Sequence, residues 1–461
     1  MTTRKKSGDL EHHNPRLPPR DPDIADGAPD PRLRASYDPT DPRAGVRGIL
    51  GMGAGIEKPG LIDHGTGLNR RSFLKAGAAA GLGAMMPWGQ AWPDKPKDEV
   101  VRVGYIPITD AAALLIAYDK GFYKEQGLDA VRPELHRGWM PFVEAFQSHR
   151  HNVSHFLNPI PLWMRYGTGV PVKITAWDHT NGSACVVGRH TGITSWSEFG
   201  GKQVAVPWWY SNHNIILQQF LREYGITPVI RSQDAQLAPN ECNLQVVAPP
   251  DMPPALAARR IDAYIVAEPF NSLGEVQAGA NMLRFTGDYW KGHPCCVVVM
   301  HEADVEDPDR KAWTQAVTDA IVQAQLWIAE NREEAAMRLS RDGGGYLPFP
   351  FQVIDRAMNF YDPAYYDNPQ AIKHVEWQQD RINMQAWPYP SATKVVVDEM
   401  RKVVITGDRS FLDELDTDFV VNDLVNYDFI RNSLEKFPAW RNDKSVPQEG
   451  NPYEREEVFK I

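Results

Sequence analysis

Short apolar strands alternate with helical segments from Val101 onward, and no other feature of this sequence restricts its possible folds as strongly. The stretch VRVGYIP predicts a strand, DAAALLIAYDKGFY predicts a helix, and VKITAW, SACVVG, QVAVP, LQVVAPP and IDAYIVAEPF predict further strands. Such alternation is typical of layered α/β domains. Beyond Cys295 the pattern becomes mainly helical, with regular apolar spacing over residues 310–340.

Length and charge narrow the possible functions. A chain of 461 residues is long enough for two or three compact units. Its net charge of -10 argues against a nucleic acid as partner. A small anion is not excluded, because a small closed site depends on its local hydrogen-bond donors and not on the net charge of the chain.

Residues 70–91 read RRSFLKAGAAAGLGAMMPWGQA and predict a cleaved export signal, because the apolar run is too short to span a bilayer. The stretch NRRSFLK closely resembles the twin-arginine signal, through which the Tat translocase carries folded proteins into the bacterial periplasm. No Cys follows the apolar run, so no lipid anchor is evident at that site. We therefore expect a periplasmic protein.

Residues 1–69 are rich in Pro, Asp and Arg and poor in apolar side chains, which predicts a disordered tail. Either the true start lies later, for instance at Met52, or the signal carries an unusually long extension. The stretch GMGAGI over residues 51–56 mimics a glycine-rich phosphate loop. No strand precedes it and no helix pattern follows, so we expect no nucleotide site there.

Residues 207–226, PWWYSNHNIILQQFLREYGI, place many hydrogen-bonding side chains at one helix entrance. Ser211, Asn212 or Asn214 can cap the helix, and the free N–H groups of a first turn attract anions. His213 adds a directional donor, and the preceding aromatic residues can exclude water. The alternative is that Ser and Asn only cap the helix, His213 lies on the surface and the tryptophans fill the core.

Ordered segments along the chain resemble the solute-binding proteins of ABC importers, specifically the nitrate and bicarbonate branch and more distantly the sulfonate binders. The segments include VRVGYIPITDAAALLIAYDKGFYKEQGLD, RGWMPFVEAF, TNGSACVV, SNHNIILQQFLREYGI, DAYIVAEPFN, WKGHP and QQDRINMQAWPYPSATKVVVDEM, and they span residues 100–435. The resemblance implies an α/β periplasmic binding protein of type II, with two lobes that close like a hinged clamp. It also implies an ABC permease and an ATPase as partners.

The same resemblance sets the expected domain limits. Residues 92–186 and 292–461 would form lobe 1 with a helical C-terminal extension, and residues 187–291 would form lobe 2. Trp139 and His213 match positions at which similar proteins contact the anion, and Ser211 and Asn214 would frame the same seat. Asn181 would reach the cleft from the lobe crossover, unless its Asn-Gly pair only makes a turn.

Glu268 and Lys291 bear on the identity of the anion. An ionised carboxylate accepts hydrogen bonds without donating them, so it repels nitrate and suits the hydroxyl of bicarbonate. A lysine at the site would instead attract a permanent anion through its compact positive charge. Glu268 could instead be structural, paired with a neighbouring residue, and Lys291 could face only solvent. We expect a small inorganic anion, with nitrate favoured over nitrite, cyanate or bicarbonate.

Three alternatives remain beside an importer subunit for nitrate: a sulfonate or taurine binder, an anion sensor, and an enzyme. The enzyme would resemble thiamine-precursor synthases and would use Cys295 and Cys296, whose vicinal thiols beside His293 could bind a metal or act as nucleophiles. The simpler interpretation is an apolar strand with buried thiols. The four cysteines, which include Cys185 and Cys242, fit no zinc spacing and no disulfide scaffold. We expect no catalytic residue, cofactor or metal, although calcium accompanies some bicarbonate binders.

Overall fold

The computed structural model describes residues 100–461, so the tail and the export signal lie outside the described residues. The strands are β1 (Val103–Tyr105), β2 (Glu134–Leu135), β3 (Val153–Leu157), β4 (Val172–Trp177), β5 (Thr180–Asn181), β6 (Ser183–Gly188), β7 (Gln203–Val206), β8 (Thr227–Val229), β9 (Glu241–Val246), β10 (Ala263–Ala267), β11 (Ala280–Phe285), β12 (Cys296–His301) and β13 (Ile382–Asn383).

The α-helices follow the same chain order. They are α1 (Ala112–Asp119), α2 (Phe122–Glu125), α3 (Trp139–Gln147), α4 (Pro159–Leu162), α5 (Asn212–Glu223), α6 (Met252–Ala257), α7 (Phe270–Gln277), α8 (Glu302–Glu306), α9 (Lys311–Glu330), α10 (Arg332–Leu339), α11 (Phe351–Asn359), α12 (Pro390–Met400), α13 (Ser410–Glu414), α14 (Thr417–Leu424) and α15 (Asp428–Lys436).

The first sheet has the strand order β2-β1-β3-β12-β4. Strands β2, β1 and β3 run parallel, while β12 is antiparallel to both of its neighbours. Every residue of β3, β4 and β12 is buried, as expected for strands that are covered on both faces of the sheet. Helix α9 packs on this lobe against α1, α2 and α15.

The second sheet has the order β11-β6-β10-β7-β9-β8. Strands β10, β7, β9 and β8 are parallel, and β6 is antiparallel to β10 and β11. The chain passes from the first sheet to the second through residues 178–182 and returns through residues 286–295. We call these two stretches the crossover segments.

The C-terminal extension is tied to the crossover segments by backbone pairing. Strand β13 pairs antiparallel with β5, and Lys460 N donates to Tyr289 O at 2.9 Å. The expected two-lobed α/β fold with a helical extension is thus confirmed. Among the helices of residues 100–461, none combines the length and the apolar character needed to cross a membrane.

Candidate functional site

Both sheets direct their carboxyl ends toward one buried polar region. Asp110 lies in a turn shortly after β1, and His179 lies in the first crossover segment. Because β12 is antiparallel to β3 and β4, its first residue Cys296 lies at the carboxyl ends of those strands. Ser183 begins β6 opposite the last residue of β10, and His213 lies in the first turn of α5, which follows β7. Ligands of open α/β sheets bind at such edges.

Asp110, His179, Cys295 and Cys296 form what we call the thiol cluster. The Oδ2 atom of Asp110 lies 2.9 Å from His179 Nε2, 3.2 Å from Cys295 Sγ and 3.3 Å from Cys296 Sγ. The backbone N–H of Cys296 is also directed at His179 Nε2, at 3.3 Å. All four side chains are buried, so four potential metal ligands point at a common position inside the protein.

Contacts to the second sheet extend this cluster across the space between the lobes. Cys295 Sγ lies 3.4 Å from Ser183 Oγ and 3.9 Å from His213 Nε2. Ser183 Oγ and His213 Nε2 are themselves hydrogen bonded at 2.8 Å. The amide of Asn212 donates to the carbonyl oxygen of Pro294. The entrance of α5 and the second crossover segment are therefore in direct contact.

Burial and mutual charge shift the protonation equilibria of the thiol cluster. Burial raises the pKa of Asp110 to about 7, reinforced by the charge of Cys295 and opposed by His179. Burial alone would lower the pKa of His179, but Asp110 and Cys295 together outweigh it, and the pKa is raised well above its ordinary value. Burial likewise opposes ionisation of Cys295, yet a hydrogen bond from Cys296 and the charge of His213 lower its pKa. This shift favours the thiolate form of Cys295, which is the form that binds metals and acts as a nucleophile.

Four residues, Trp139, His155, Asn158 and His213, each have a buried side-chain nitrogen without a described partner, and we call them the donor wall. The Trp139 and His155 rings meet edge to face at 6.0 Å, and His155 lies close enough to His179 and Cys295 for their charges to act on it. Trp139 Nε1, Asn158 Nδ2 and the Nδ1 atoms of both histidines are buried and have no hydrogen-bond partner among the described protein atoms. Buried polar atoms are normally satisfied, so these atoms favour a polar ligand here.

The tautomer of His155 follows from its surroundings. Burial, followed by the charge of His179, lowers the pKa of His155 to about 3, so the ring is neutral. Ile106 N donates to His155 Nε2 at 3.3 Å, which assigns the ring hydrogen to Nδ1. His155 Nδ1, Trp139 Nε1 and Asn158 Nδ2 are thus all donors.

Helix α5 begins at Asn212, three residues before the apolar periodicity from which the sequence predicts it. Ser211 is the N-cap and accepts from Asn214 N at 3.0 Å, while its hydroxyl donates to Trp208 O at 2.7 Å. The side-chain amide of Asn214 is occupied by Trp209 O and by Gln218. Among the described hydrogen bonds, none uses the backbone N–H of Asn212 or His213. Two first-turn N–H groups thus remain for a ligand.

Asn181 faces the C-terminal extension. Its φ of 62° lies in the left-handed region, and Gly182 follows with φ 74°. The side-chain amide of Asn181 donates to Gln379 Oε1 at 3.1 Å and to Asp380 O at 3.2 Å. These contacts favour the interpretation of the Asn-Gly pair as a turn.

Glu268 and Lys291 also lie outside the thiol cluster and the donor wall. The Glu268 carboxylate is buried and paired with Arg381 of the C-terminal extension, which favours the structural alternative for this residue. Lys291 is exposed, and its backbone N–H donates to Val458 O at 3.0 Å. Of the side chains predicted from the sequence, His213 contacts Cys295 of the thiol cluster, and Trp139 packs edge to face on His155.

The sequence did not single out Asp110, His155, Asn158 and His179. Each of Asp110 and Asn158 follows an apolar strand of the first sheet within a few residues, and this position was an available signal. A groove of about 170 Å³ elsewhere, lined among others by Gln325, Met384 and Trp440, contains none of the site residues named above.

Two sheets whose carboxyl edges face each other across a buried polar site, linked by two crossovers, define a periplasmic solute-binding protein of the kind that serves ABC importers. The chain belongs to the NMT1-like family, whose profile matches residues 94–340. A twin-arginine translocation signal matches residues 67–87 and directs the folded protein to the periplasm.

Two relatives agree with this assignment. The nitrate/nitrite binding protein NrtA of Nostoc sp. PCC 7120 is 28% identical over 320 residues, which cover 64% of this chain and 69% of that protein. The nitrate import ATP-binding protein NrtC of Synechocystis sp. PCC 6803 is 25% identical over 62% of this chain and 42% of its own length.

Solved structures show the same fold. The periplasmic nitrate-binding protein NrtA from Synechocystis PCC 6803 superposes with a TM-score of 0.63 at 21% identity, covering 79% of this chain and 95% of that one. The ligand-binding component of an ABC-type import system from Staphylococcus aureus, with zinc bound, gives a TM-score of 0.55 at 18% identity, covering 73% of this chain and 99% of that one.

Proposed function

We propose that the protein is the solute-binding component of an ABC importer for a small inorganic anion, with nitrate favoured over nitrite, cyanate or bicarbonate. The observation that carries this proposal is the donor wall. Trp139, His155 and Asn158 present buried N–H groups without a described partner, and the entrance of α5 adds two backbone N–H groups. A set of donors excluded from water suits a ligand that only accepts hydrogen bonds.

The state of Glu268 supports nitrate over bicarbonate. Bicarbonate has a hydroxyl that must donate to an acceptor, and Glu268 was the acceptor expected from the sequence. Arg381 Nε and Nη2 both donate to Glu268 Oε1, and Ser272 N donates to its Oε2 at 3.1 Å. The carboxylate therefore has its own protein partners.

Two of the relatives support an ABC permease and an ATPase as partners. NrtA of Nostoc is described as binding nitrate or nitrite, and NrtC of Synechocystis is an ATP-binding protein for nitrate import. We propose that this protein delivers its anion to an ABC permease and ATPase after export by the Tat translocase. A sensor that reports the anion to a membrane regulator would need the same clamp, and deletion of a neighbouring permease gene separates the two roles.

Isothermal titration of the purified mature protein tests the ligand. Nitrate is expected to bind more tightly than nitrite, cyanate, bicarbonate, taurine or an alkanesulfonate. Binding of taurine or an alkanesulfonate without binding of any inorganic anion would make the protein a sulfonate binder. A protein that binds none of them after unfolding and refolding, which removes any co-purified ligand, would overturn the proposal.

Two observations favour an enzyme as the second candidate. The lowered pKa of Cys295 and its contact with His213 are features of nucleophilic thiols. Both thiols are nevertheless buried. Alkylation of Cys295 much faster than of Cys185 at neutral pH would support this role, and equal rates would remove it.

A further inference from the structure

We infer that the thiol cluster is a binding site for one tetrahedral divalent transition metal ion, with zinc as the first candidate. The inference does not rest on the proposed anion. Its ligands would be Asp110 Oδ2, His179 Nε2, Cys295 Sγ and Cys296 Sγ, which all lie within 4.8 Å of one another. Two sulfurs, one imidazole nitrogen and one carboxylate oxygen form a donor set that zinc accepts.

The distances match a contracted coordination shell. Zinc bonds of about 2.0–2.3 Å place the ligand atoms of a tetrahedron about 3.3–3.8 Å apart. The contacts of Asp110 Oδ2 with the other three ligand atoms run from 2.9 to 3.3 Å. Lengthening these three contacts by a few tenths of an ångström would bring them to the spacing of a zinc shell, in which the metal ion replaces the shared hydrogens.

The chemistry around the cluster also favours a cation. Asp178 is buried beside it, and neither of its carboxylate oxygens has a hydrogen-bond partner among the described residues. No Lys or Arg side chain among the described ion pairs contacts Asp110 or Asp178. Among the described ion pairs His179 is the one basic partner of Asp110, and a bound cation would stabilise the other buried carboxylate and the thiols.

The route of export explains how the site can be loaded. The twin-arginine signal carries the chain across the membrane already folded. Both thiols can therefore take up an ion in the reducing cytoplasm and reach the oxidising periplasm buried and coordinated.

The position of the ligands suggests what the ion does. His179 lies in the first crossover segment, Cys295 ends the second, and Asp110 lies on the first lobe. An ion bound to all three would fasten the two crossover segments to that lobe at the base of the cleft. It would thus be a resident structural ion and not a transported one.

Metal analysis of the full protein, produced in a Tat-competent host and purified without chelators, tests the inference. We expect about one zinc ion per chain in the wild type and in Cys242→Ala, whose thiol is buried outside the cluster. Cys296→Ala and Asp110→Asn should lose it, with a fall in affinity above the roughly 10–100-fold typical for loss of an outer partner. Cobalt substituted for zinc should show a thiolate charge-transfer band in the wild type that is absent in Cys296→Ala.

Two results would overturn the metal site. One is a folded wild type that holds no more metal than Cys296→Ala, and the other is an intact mass showing Cys295 and Cys296 joined as a disulfide in freshly purified protein. Measuring both zinc content and anion binding on His213→Ala separates this inference from the proposed function, because His213 is a proposed anion contact and not a metal ligand. A wild type that holds zinc but binds none of the anions would contradict only the proposed function, and a wild type that binds an anion without zinc would contradict only the metal site.

Discussion

Arg381 and Glu268 form an ion pair in which both side chains are fully buried, with Arg381 Nη2 2.5 Å from Glu268 Oε1. The pair joins the C-terminal extension to the end of β10 in the second sheet. Tyr366 and Ser272 also bond to the guanidinium. A residue far along the chain thereby fixes the backbone beside the cleft.

Replacing Arg381 with Met should lower the free energy of unfolding by about 3–5 kcal/mol, because it leaves the Glu268 carboxylate buried without its main cation. Adding Glu268→Gln should recover part of this loss. Lys444→Met, which breaks the exposed pair with Asp380, should cost less than about 1 kcal/mol. Urea denaturation measures all three, and an equal loss for Arg381→Met and Lys444→Met would contradict the prediction.

Replacing His213 with Ala should weaken anion binding by about 10–100-fold, the range expected for one lost hydrogen bond to a charged group. His190→Ala is the matched control, since His190 lies on the same lobe and is exposed. Calorimetry on both variants gives the comparison. Unchanged affinity in His213→Ala would remove this side chain from the site.

Trp139→Phe tests a single donor of the donor wall. The substitution keeps a buried aromatic ring and removes the Nε1 hydrogen, so anion affinity should fall by about tenfold or more while stability changes little. Trp440 also has a buried Nε1 without a described partner, but it lies in the C-terminal extension. Trp440→Phe should leave affinity unchanged, and similar losses in both variants would indicate a general effect on folding.

His301 should make stability depend on pH. Its ring stacks on Phe146 at 4.1 Å, and burial, aided by the charge of His149, lowers its pKa to about 3. In the unfolded chain the His301 ring takes up a proton near pH 6.5, whereas in the folded chain it stays neutral down to about pH 3. The stability contributed by His301 is therefore complete above pH 6.5 and is lost as the pH falls toward 3.

His301→Phe should therefore reduce the slope of unfolding free energy against pH by up to about 1.4 kcal/mol per pH unit between these limits. Chemical denaturation at a series of pH values measures the slope. Phe146→Leu should lower stability at every pH without changing the slope, because it removes no titrating group. An unaltered slope in His301→Phe would show that another group dominates.

The parts of the fold that depend on local pattern could be predicted from the sequence. Apolar runs predicted strands such as β4 and β6, and the Ser211 cap was one of three candidates at the entrance of α5. The start of α5 was less clear, because Asn212 is polar yet buried, with its side-chain amide bonded to Pro294 O. Tertiary packing decides such positions.

The thiol cluster could not be predicted in the same way. The vicinal pair Cys295 and Cys296 is visible in the sequence, but Asp110 lies 185 residues before Cys295. Their approach depends on β12 entering the first sheet between β3 and β4 after the chain has built the second sheet. The spacing of apolar residues does not predict that β12 returns to the first sheet.

The 3.4 Å contact between Ser183 Oγ and Cys295 Sγ joins a residue that begins a strand of the second sheet to one that immediately precedes a strand of the first. Such a contact exists only while the two sheets are held at this separation. Separating the sheets would therefore take apart the binding site between them, so ligand binding and the separation of the sheets belong to one equilibrium. A ligand with equal affinity for both arrangements would leave the balance between them unaltered.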